Sequence, residues 1–352
     1  MKVIAEIGVN HDGKLSKAKK LIKLSKLSGA DYVKFQLYKT ENLVITNSST
    51  ASYQKKISNN QFELLKKYEL SLKKFKILFR YCVQTKIQPL VTCFDLETFK
   101  EVNSIFNFNM YKIGSGDLDN FPLIYEIARN NKKIILSTGM SNINEINLAL
   151  KTIYFSHKYK NQKPNIRKIH NIKLTAFNLK YLREKVIILH CISNYPAKVE
   201  DLDLNVISYL KKKYKLKVGF SDHSKSIVAP SIAMTLGAEY LEKHITFSNS
   251  DLGPDHEASL NYKDFKLMVE NLDDTKKMYG NKKKKINFLE SQIAKVSRKS
   301  IYAKIRINKN DIFSLNNLIV KRPQKGKKPY MFWNLLGKKS KKVYNPDEPI
   351  IL

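Results

Sequence analysis

The sequence predicts an α/β chain, a (β/α)8 TIM barrel followed by a small, mostly-β domain. Three observations carry the prediction. Eight short apolar, β-branched runs recur, each followed by a segment of helical period. No strand–GxGxxG–helix unit opens any of these repeats, so a doubly wound open sheet, the alternative, fits less well. After Lys285 the composition shifts to short alternating strands with turn signals, unlike any preceding unit. The 352 residues exceed most single cores, which suits one large domain and one small one.

Taken in order, the predicted strands are Val3–Gly8, Tyr32–Gln36, Pro89–Phe94, Tyr111–Ser115, Ile134–Gly139, Val186–Ile192, Val218–Asp222 and Tyr240–Thr246. Helical period is clear between them, as in Leu15, Ala18, Leu21, Ile22 and Ser25, then in Leu72, Phe75, Ile77, Leu78 and Phe79. The polar, aperiodic stretch 42–60 is expected as a long loop over the barrel mouth. The basic, Asn-rich stretch 158–185 is expected as an insertion on the opposite face, of no chemical consequence. The predicted boundaries are 1–280 for the barrel, 281–292 for a basic linker holding the dense cluster Lys282–Lys285, and 293–352 for the small domain. A domain of that size is marginally self-sufficient and gains from docking onto a barrel, its own or another subunit's.

Composition narrows the function classes. Lys+Arg number 64 against 31 Asp+Glu, a net charge of +33. The lysines are spread over nearly every amphipathic segment, and aromatic residues do not interleave with them as in RNA-binding signatures. Nucleic acid is therefore not expected as a partner, although a basic binding protein for polyanions stays as the non-enzymatic alternative. Such a surface also draws in small anionic substrates. The opening "MKVIAEIGVNHDG" reaches Glu6 and His11 before any long apolar run, so no secretory signal is expected. No stretch approaches the length needed to span a bilayer. Three scattered cysteines make neither a disulfide framework nor a zinc knuckle, and a reducing, cytoplasmic setting is expected.

Catalytic groups of such barrels sit at the C-terminal ends of the strands. Every predicted strand ends polar: Glu6 and Asn10–His11; Lys34 and Gln36; Thr92; Lys112, Ser115 and Asp117; Ser137 and Thr138; His190, Ser193 and Tyr195; Ser221, Asp222 and His223; Glu242, Lys243 and His244. Lys34 and Lys112, with Ser115, Ser137, Ser221 and the backbone of "GSG" (114–116), suit a phosphate or carboxylate. The competing reading is lysines that snorkel from strand ends into water. His223 and His244 end neighbouring strands. They can share one divalent ion with open positions for water and substrate, Mn²⁺ suiting such a donor set, or they are two hydrogen-bonded core histidines. His190 reads as a packed strand residue.

Seven ordered motifs resemble the sialic acid synthase family: "IAEIGVNHDG" (4–13), "GADYVKFQ" (29–36), "YKIGSGDLDNFPLI" (111–124), "LSTGM" (136–140), "GFSDHS" (219–224), "EKHIT" (242–246) and "GPDHEASL" (253–260). The C-terminal "SRKSIYAKIRINKNDIFSLNNLIVKRP" is similar to the family's antifreeze-like (SAF) domain. The resemblance implies a synthase that condenses phosphoenolpyruvate (PEP) with an N-acylated mannosamine-type sugar, giving a sialic acid (N-acetylneuraminate) and phosphate. The alternative is a legionaminate or pseudaminate synthase acting on a 2,4-diacetamido-6-deoxyhexose. A synthase for 3-deoxy sugar acids would not need the SAF segment. By motif, Lys34, Thr92, Lys112, Ser115, Ser137 and Ser221 would bind PEP, and Glu6, Asp117 and Lys112 would be catalytic. Gln36, Tyr195, Asp255 and Arg322 would bind the sugar, and His223 and His244 a divalent metal, Mn²⁺ first, with Mg²⁺ or Co²⁺ as the alternatives. Asp117 and Ser193 stand where many relatives carry Glu and Asn. Glu242 and Lys243 are expected to support the barrel mouth, and His256 and Glu257 have no assigned role. The resemblance also implies a domain-swapped homodimer in which Arg322 closes the partner's site.

Overall fold

A computed structural model describes residues 1–50, 55, 57–160, 162–280 and 283–351. The chain forms two compact units, Met1–Gly280 and Asn281–Leu352. In the first, eight parallel strands follow one another around a closed barrel: β1 (Lys2–Gly8), β2 (Tyr32–Leu37), β3 (Gln88–Cys93), β4 (Met110–Ile113), β5 (Lys133–Ser137), β6 (Val186–Cys191), β7 (Lys217–Asp222) and β8 (Tyr240–Thr246). β8 returns to β1 in parallel, with Lys2 opposite Tyr240 and Glu6 opposite His244. This is the (β/α)8 barrel the sequence predicts, each strand lying within two residues of its predicted bounds.

Both faces of a parallel barrel strand are covered, which is why these runs are mostly apolar; in β6 the run Val186–Leu189 is unbroken, and His190, buried with Nε2 2.7 Å from the Leu202 carbonyl, is the polar exception. Residues pointing outward, such as Val33, Phe35, Val91, Ile134, Ile188 and Phe220, pack under the surrounding helices. Residues pointing inward at the lower end, Ile4, Leu90, Met110, Ile135, Ile187 and Leu189, form a separate apolar plug with Tyr32 and Tyr240 packed against it. At Gly219 a Cβ would lie 2.5 Å from the Tyr240 carbonyl and 2.6 Å from Leu189 Cδ2, so glycine leaves the room that the Tyr240 backbone and the Leu189 side chain fill.

The helices begin where side chains satisfy their first N–H groups. Ser71, Asp95, Asn120, Asn142 and Asn261 cap Leu72–Gln84, Leu96–Ile105, Phe121–Arg129, Ile143–Lys158 and Tyr262–Tyr279. Stretch 42–60 begins inside a short helix, Thr40–Leu43, and a bridge joins Ser49 to Asn60; residues 51–54 and 56 lie outside the described residues. The insertion carries two short helices, Ile166–His170 and Ala176–Leu182, capped by Asn165 and Thr175, and Ile169 packs with Tyr125 and Phe155. A two-residue strand β9 (Leu260–Asn261) continues beside the end of β8. Among the described residues no helix is long and apolar enough to cross a membrane.

The second unit opens with a helix, Phe288–Ser297, so the end of the range read as linker is helical; Lys282 of the basic cluster lies outside the described residues. β10 (Ser300–Ala303) pairs antiparallel with β11 (Leu318–Lys321). Single bridges add Tyr302–Pro349, Ile307–Tyr344 and Ile312–Lys339 around a core of Ile301, Ile307, Phe313, Leu318, Tyr344 and Ile350.

Candidate active site

Directly above the apolar plug, one pleat further along each strand, the inward positions change character. Ile4 gives way to Glu6, Tyr32 to Lys34 and then Gln36, Leu90 to Thr92, and Met110 to Lys112. Ile135 is followed by Ser137, Leu189 by Cys191, Gly219 by Ser221 and then His223, and Tyr240 by Glu242 and then His244. Because side chains alternate along a strand, these positions share one face, and the barrel gathers them into a ring. The ring floors a cavity of about 410 Å³ at the C-terminal mouth. Eleven sequence-predicted residues line it: Glu6, Lys34, Gln36, Thr92, Lys112, Ser115, Ser137, Tyr195, Ser221, His223 and His244.

The other three predicted residues lie elsewhere. Asp255 borders the ring, its Oδ2 3.5 Å from His244 Nδ1. Asp117 is the buried residue of the turn Ser115–Asp117, where it accepts from Asn120 Nδ2 at 3.0 Å, and it does not line the cavity. Arg322 belongs to the second unit and is exposed there. Gly8 explains part of the crowding. A Cβ there would lie 3.1–3.2 Å from Glu6 Oε1, Asp255 Oδ2 and Gln36 Nε2, and its φ of +51° suits glycine.

Two lysines and two carboxylates form the electrostatic centre. Lys34 Nζ lies 3.0 Å from Glu6 Oε2 and 3.5 Å from Glu242 Oε1, and Lys112 Nζ lies 3.4 Å from Glu242 Oε1. Thr92 Oγ1 accepts from Lys34 at 3.2 Å, Glu6 accepts from Gln36 at 2.8 Å, and Glu242 from Ser221 at 3.3 Å. The lysines are therefore held inside the barrel and do not snorkel to water. Burial pushes the Glu6 carboxyl up, to about 7, against the pull of Lys34. Burial acts on Glu242 too, but Lys112 and Lys34 outweigh it and hold that carboxyl low. Burial also lowers Lys112, with Glu242 opposing. Asp117 and Asp255 are each raised by burial to about 6.

The histidines meet the requirements of a cation site. Extending the β7–β8 register by one step sets His223 opposite His244, and their ring centroids are 5.6 Å apart. His223 Nδ1 is 2.7 Å from the Ile192 carbonyl, which makes it the donor and leaves Nε2, 3.1 Å from the Tyr195 hydroxyl, with its lone pair. His244 Nδ1 is buried with no hydrogen-bond partner among the described residues, and burial, then His223 and Lys34, keep the ring neutral. A buried unpaired imidazole lone pair beside a second imidazole and carboxylates fits a divalent ion with mixed nitrogen and oxygen donors. A different cluster, Asp12, Asp251 and His256, also brings ligand types together. Its place is taken by the Lys17 ammonium, which bonds to both Asp12 and Asp251, while His256 bridges Thr246 and Asp12.

Sequence reasoning missed several wall residues. Glu242 was read as support for the mouth, yet it lies between the two lysines; its place two residues before His244, on the same face, was the available signal. Cys191 follows the same rule on β6, with Sγ 3.7 Å from His223 Nδ1. Phe94 and Met140 come from loops and carry no periodic signal, and Gln61 opens the helix Gln61–Tyr68 outside the strand pattern.

Comparison with known proteins agrees with this architecture. The NeuB family model matches residues 21–284. The chain is 38% identical over 351 residues to the N,N'-diacetyllegionaminic acid synthase of Campylobacter jejuni, covering 99% of this chain and 98% of that protein. It is 29% identical to the N-acetylneuraminate-9-phosphate synthase of Homo sapiens, covering 99% and 91%. Among solved structures it resembles the N-acetylneuraminic acid (sialic acid) synthetase of Leptospira borgpetersenii in complex with citrate, with 28% identity, a TM-score of 0.65, and 83% and 89% of the two chains covered. The polar ring above a filled (β/α)8 barrel thus belongs to a nonulosonate-synthase type of enzyme, and the chain is a member of the NeuB family.

Proposed function

We propose that the chain joins PEP to the open-chain aldehyde of an N-acylated hexosamine, forming a nonulosonic acid and phosphate. The observation that carries this reading is the ring itself, in which two buried lysines and several hydroxyls adjoin two neighbouring histidines, one of which, His244, has its Nδ1 without a hydrogen-bond partner among the described residues. The new bond runs from C3 of PEP to the aldehyde carbon, water adds at C2, and the C2–O bond to phosphate breaks. Lys34 and Lys112 offset the charge of PEP, and Thr92, Ser115, Ser137 and Ser221 donate to its oxygens. Ser137 Oγ has no partner among the described residues, as a hydroxyl awaiting a ligand would. Glu6, held near neutrality, is placed to take the proton of the water that adds at C2. Asp117 acts in proton transfer or orients the sugar from the turn Ser115–Asp117. Gln36 and Tyr195 position the substrates, and Asp255 accepts from sugar hydroxyls. His223 and His244 would hold a divalent ion, Mn²⁺ in our reading, which when bound polarises the aldehyde oxygen.

For the sugar, the full-length similarity to a protein named N,N'-diacetyllegionaminic acid synthase favours a 2,4-diacetamido-6-deoxyhexose. N-acetylmannosamine, giving N-acetylneuraminate, is the second reading, supported by the structure named as a sialic acid synthetase. We assign the second unit as an SAF domain in a domain-swapped homodimer, with Arg322 reaching the N-acyl group in the partner's barrel. The enzyme would act in the cytoplasm, in keeping with three buried, unpaired cysteines. The test is phosphate release from PEP with Mn²⁺, comparing N-acetylmannosamine, 2,4-diacetamido-2,4,6-trideoxymannose and 2,4-diacetamido-2,4,6-trideoxyaltrose, each with an EDTA control. Metal-dependent turnover on one sugar is expected; none on any, by folded dimeric protein, refutes the proposal. Mixed dimers of Arg322→Ala with a barrel-dead variant would regain activity only if the arginine acts across the dimer.

A further inference from the structure

Asp222 and Lys243 stand immediately before His223 and His244. The pleat turns the histidines into the barrel and these two residues out of it, between sheet and helices. Both are about 1% exposed, and their ion pair is 2.6 Å long. The same ammonium donates to the carbonyls of Ser224 and Ser226, so its three protons have three acceptors. Asp222 Oδ1 in turn accepts from the Ser224 N–H at 2.8 Å. Asp222 and Ser224, the residues on either side of His223, are therefore both tied to the residue before His244.

The place of this pair in the ladder matters. Asp222–Lys243 is the last register pair between β7 and β8, so no further rung of that ladder fixes His223 against His244. The ion pair and its two carbonyl contacts take over just there. An apolar pair of similar volume would fill the space at no greater cost in stability, since a buried ion pair is a weak stabiliser. It would hold neither carbonyl, nor the Ser224 N–H.

We infer that Asp222 and Lys243 form a latch that sets the spacing and aim of His223 and His244, and so are positioning residues for the divalent-cation site. The inference rests on reading those histidines as metal ligands. Neither latch residue lines the cavity, and neither touches substrate.

The test uses the full-length chain. Mn²⁺ affinity is read from the free Mn²⁺ electron paramagnetic resonance signal for wild type, Lys243→Met, Asp222→Asn, the double variant Asp222→Leu/Lys243→Met, and His244→Ala. PEP affinity is measured in parallel on the metal-free proteins. Each latch variant is expected to bind Mn²⁺ 10- to 100-fold more weakly, the range for partners that orient metal ligands. The double variant is expected to be no worse than the poorer single, because one unit has been broken. PEP affinity without metal is expected to stay within twofold. If a single variant fails to fold, the double variant, which leaves no buried unpaired charge, applies the same criterion. Wild-type Mn²⁺ affinity in a folded variant overturns the latch, and so does a parallel loss of Mn²⁺ and PEP binding, which would mark a purely structural pair. Failure of the ligand reading looks different: wild type takes up no Mn²⁺, or His244→Ala binds it unchanged, and the latch falls with it.

Discussion

Glu242→Gln tests the centre of the site with little change of shape. At an effective dielectric of about 20, a carboxylate 3.4 and 3.5 Å from two ammonium groups attracts each by about 5 kcal/mol before desolvation is subtracted. Removing one partner of a buried pair costs 3–5 kcal/mol in general. Lys34 keeps Glu6 at 3.0 Å, so the loss falls mainly on Lys112, and about 3 kcal/mol is expected. The Glu242 carboxyl agrees in direction, since Lys112 and Lys34 hold it low in spite of its burial. Its folded pKa lies below its unfolded one. The stabilisation is therefore complete above about pH 4.5 and is lost as pH falls through 2, so an assay at pH 7.5 reads all of it. At about 2 °C per kcal/mol for a unit of this size, the Tm of the barrel should drop by about 6 °C. Saturating PEP supplies the missing negative charge and should close at least half of that gap. Scanning calorimetry with and without PEP reads both quantities. A Tm within 1 °C of wild type, or a gap that PEP leaves unchanged, would refute the argument that an anion and Glu242 answer to the same two lysines.

Other expectations follow from single contacts. At Gly139 a Cβ would lie 2.3 Å from Ser193 Oγ and 2.9 Å from Ser115 Oγ, so Gly139→Ala displaces both hydroxyls; the KM for PEP should rise roughly tenfold, and an unchanged KM removes Ser115 from the anion site. Asp117 has a folded pKa raised to about 6, so it disfavours the folded state increasingly as pH rises from 3.8 through 6. Asp117→Asn should then stabilise the protein by up to about 3 kcal/mol at pH 7 while turnover falls ~100-fold, and a lower Tm with full activity would contradict both halves. His157 is buried on Ile143–Lys158 without a hydrogen-bond partner among the described residues, and burial, then Lys185 and Lys160, lower it to about 4. Its share of stability is full above about pH 6.5 and lost as pH falls through 4, so His157→Leu should flatten the fall in Tm between pH 7 and 5, and an unaltered profile would assign the acid sensitivity elsewhere.

The barrel was legible because its physics is local. A strand covered on both faces is apolar along most of its length, and Val186–Leu189 or Ile134–Leu136 satisfy that rule without reference to any other part of the chain. The ring was legible for a related reason, since a polar residue that ends an apolar run is placed by the pleat alone. Lys34, Lys112, Ser221 and His244 were found that way. What escaped depends on pairing between distant segments. Glu242 and Lys243 are adjacent in sequence and face opposite sides, one between two active-site lysines and the other against Asp222. His256, given no role, is buried between Thr246 and Asp12, a contact spanning most of the barrel's length of chain. The insertion helices were announced only by Asn165 and Thr175, caps too common to stand out in an Asn-rich stretch.

The seam between β1 and β8 has a consequence for synthesis of the chain. Lys2 pairs with Tyr240, so the first strand waits for nearly the whole barrel to be made before its neighbour exists. Until then β1 presents a bare edge able to pair with another copy, and closure across so long a separation is slow. Most of the net charge of +33 is already spread along that unfinished chain, where it keeps copies apart by repulsion. In these terms the lysines that contribute little to the finished site act as a built-in chaperone for the open barrel. Refolding from denaturant should therefore lose yield to aggregation as salt screens that charge, even where the native enzyme tolerates the same salt.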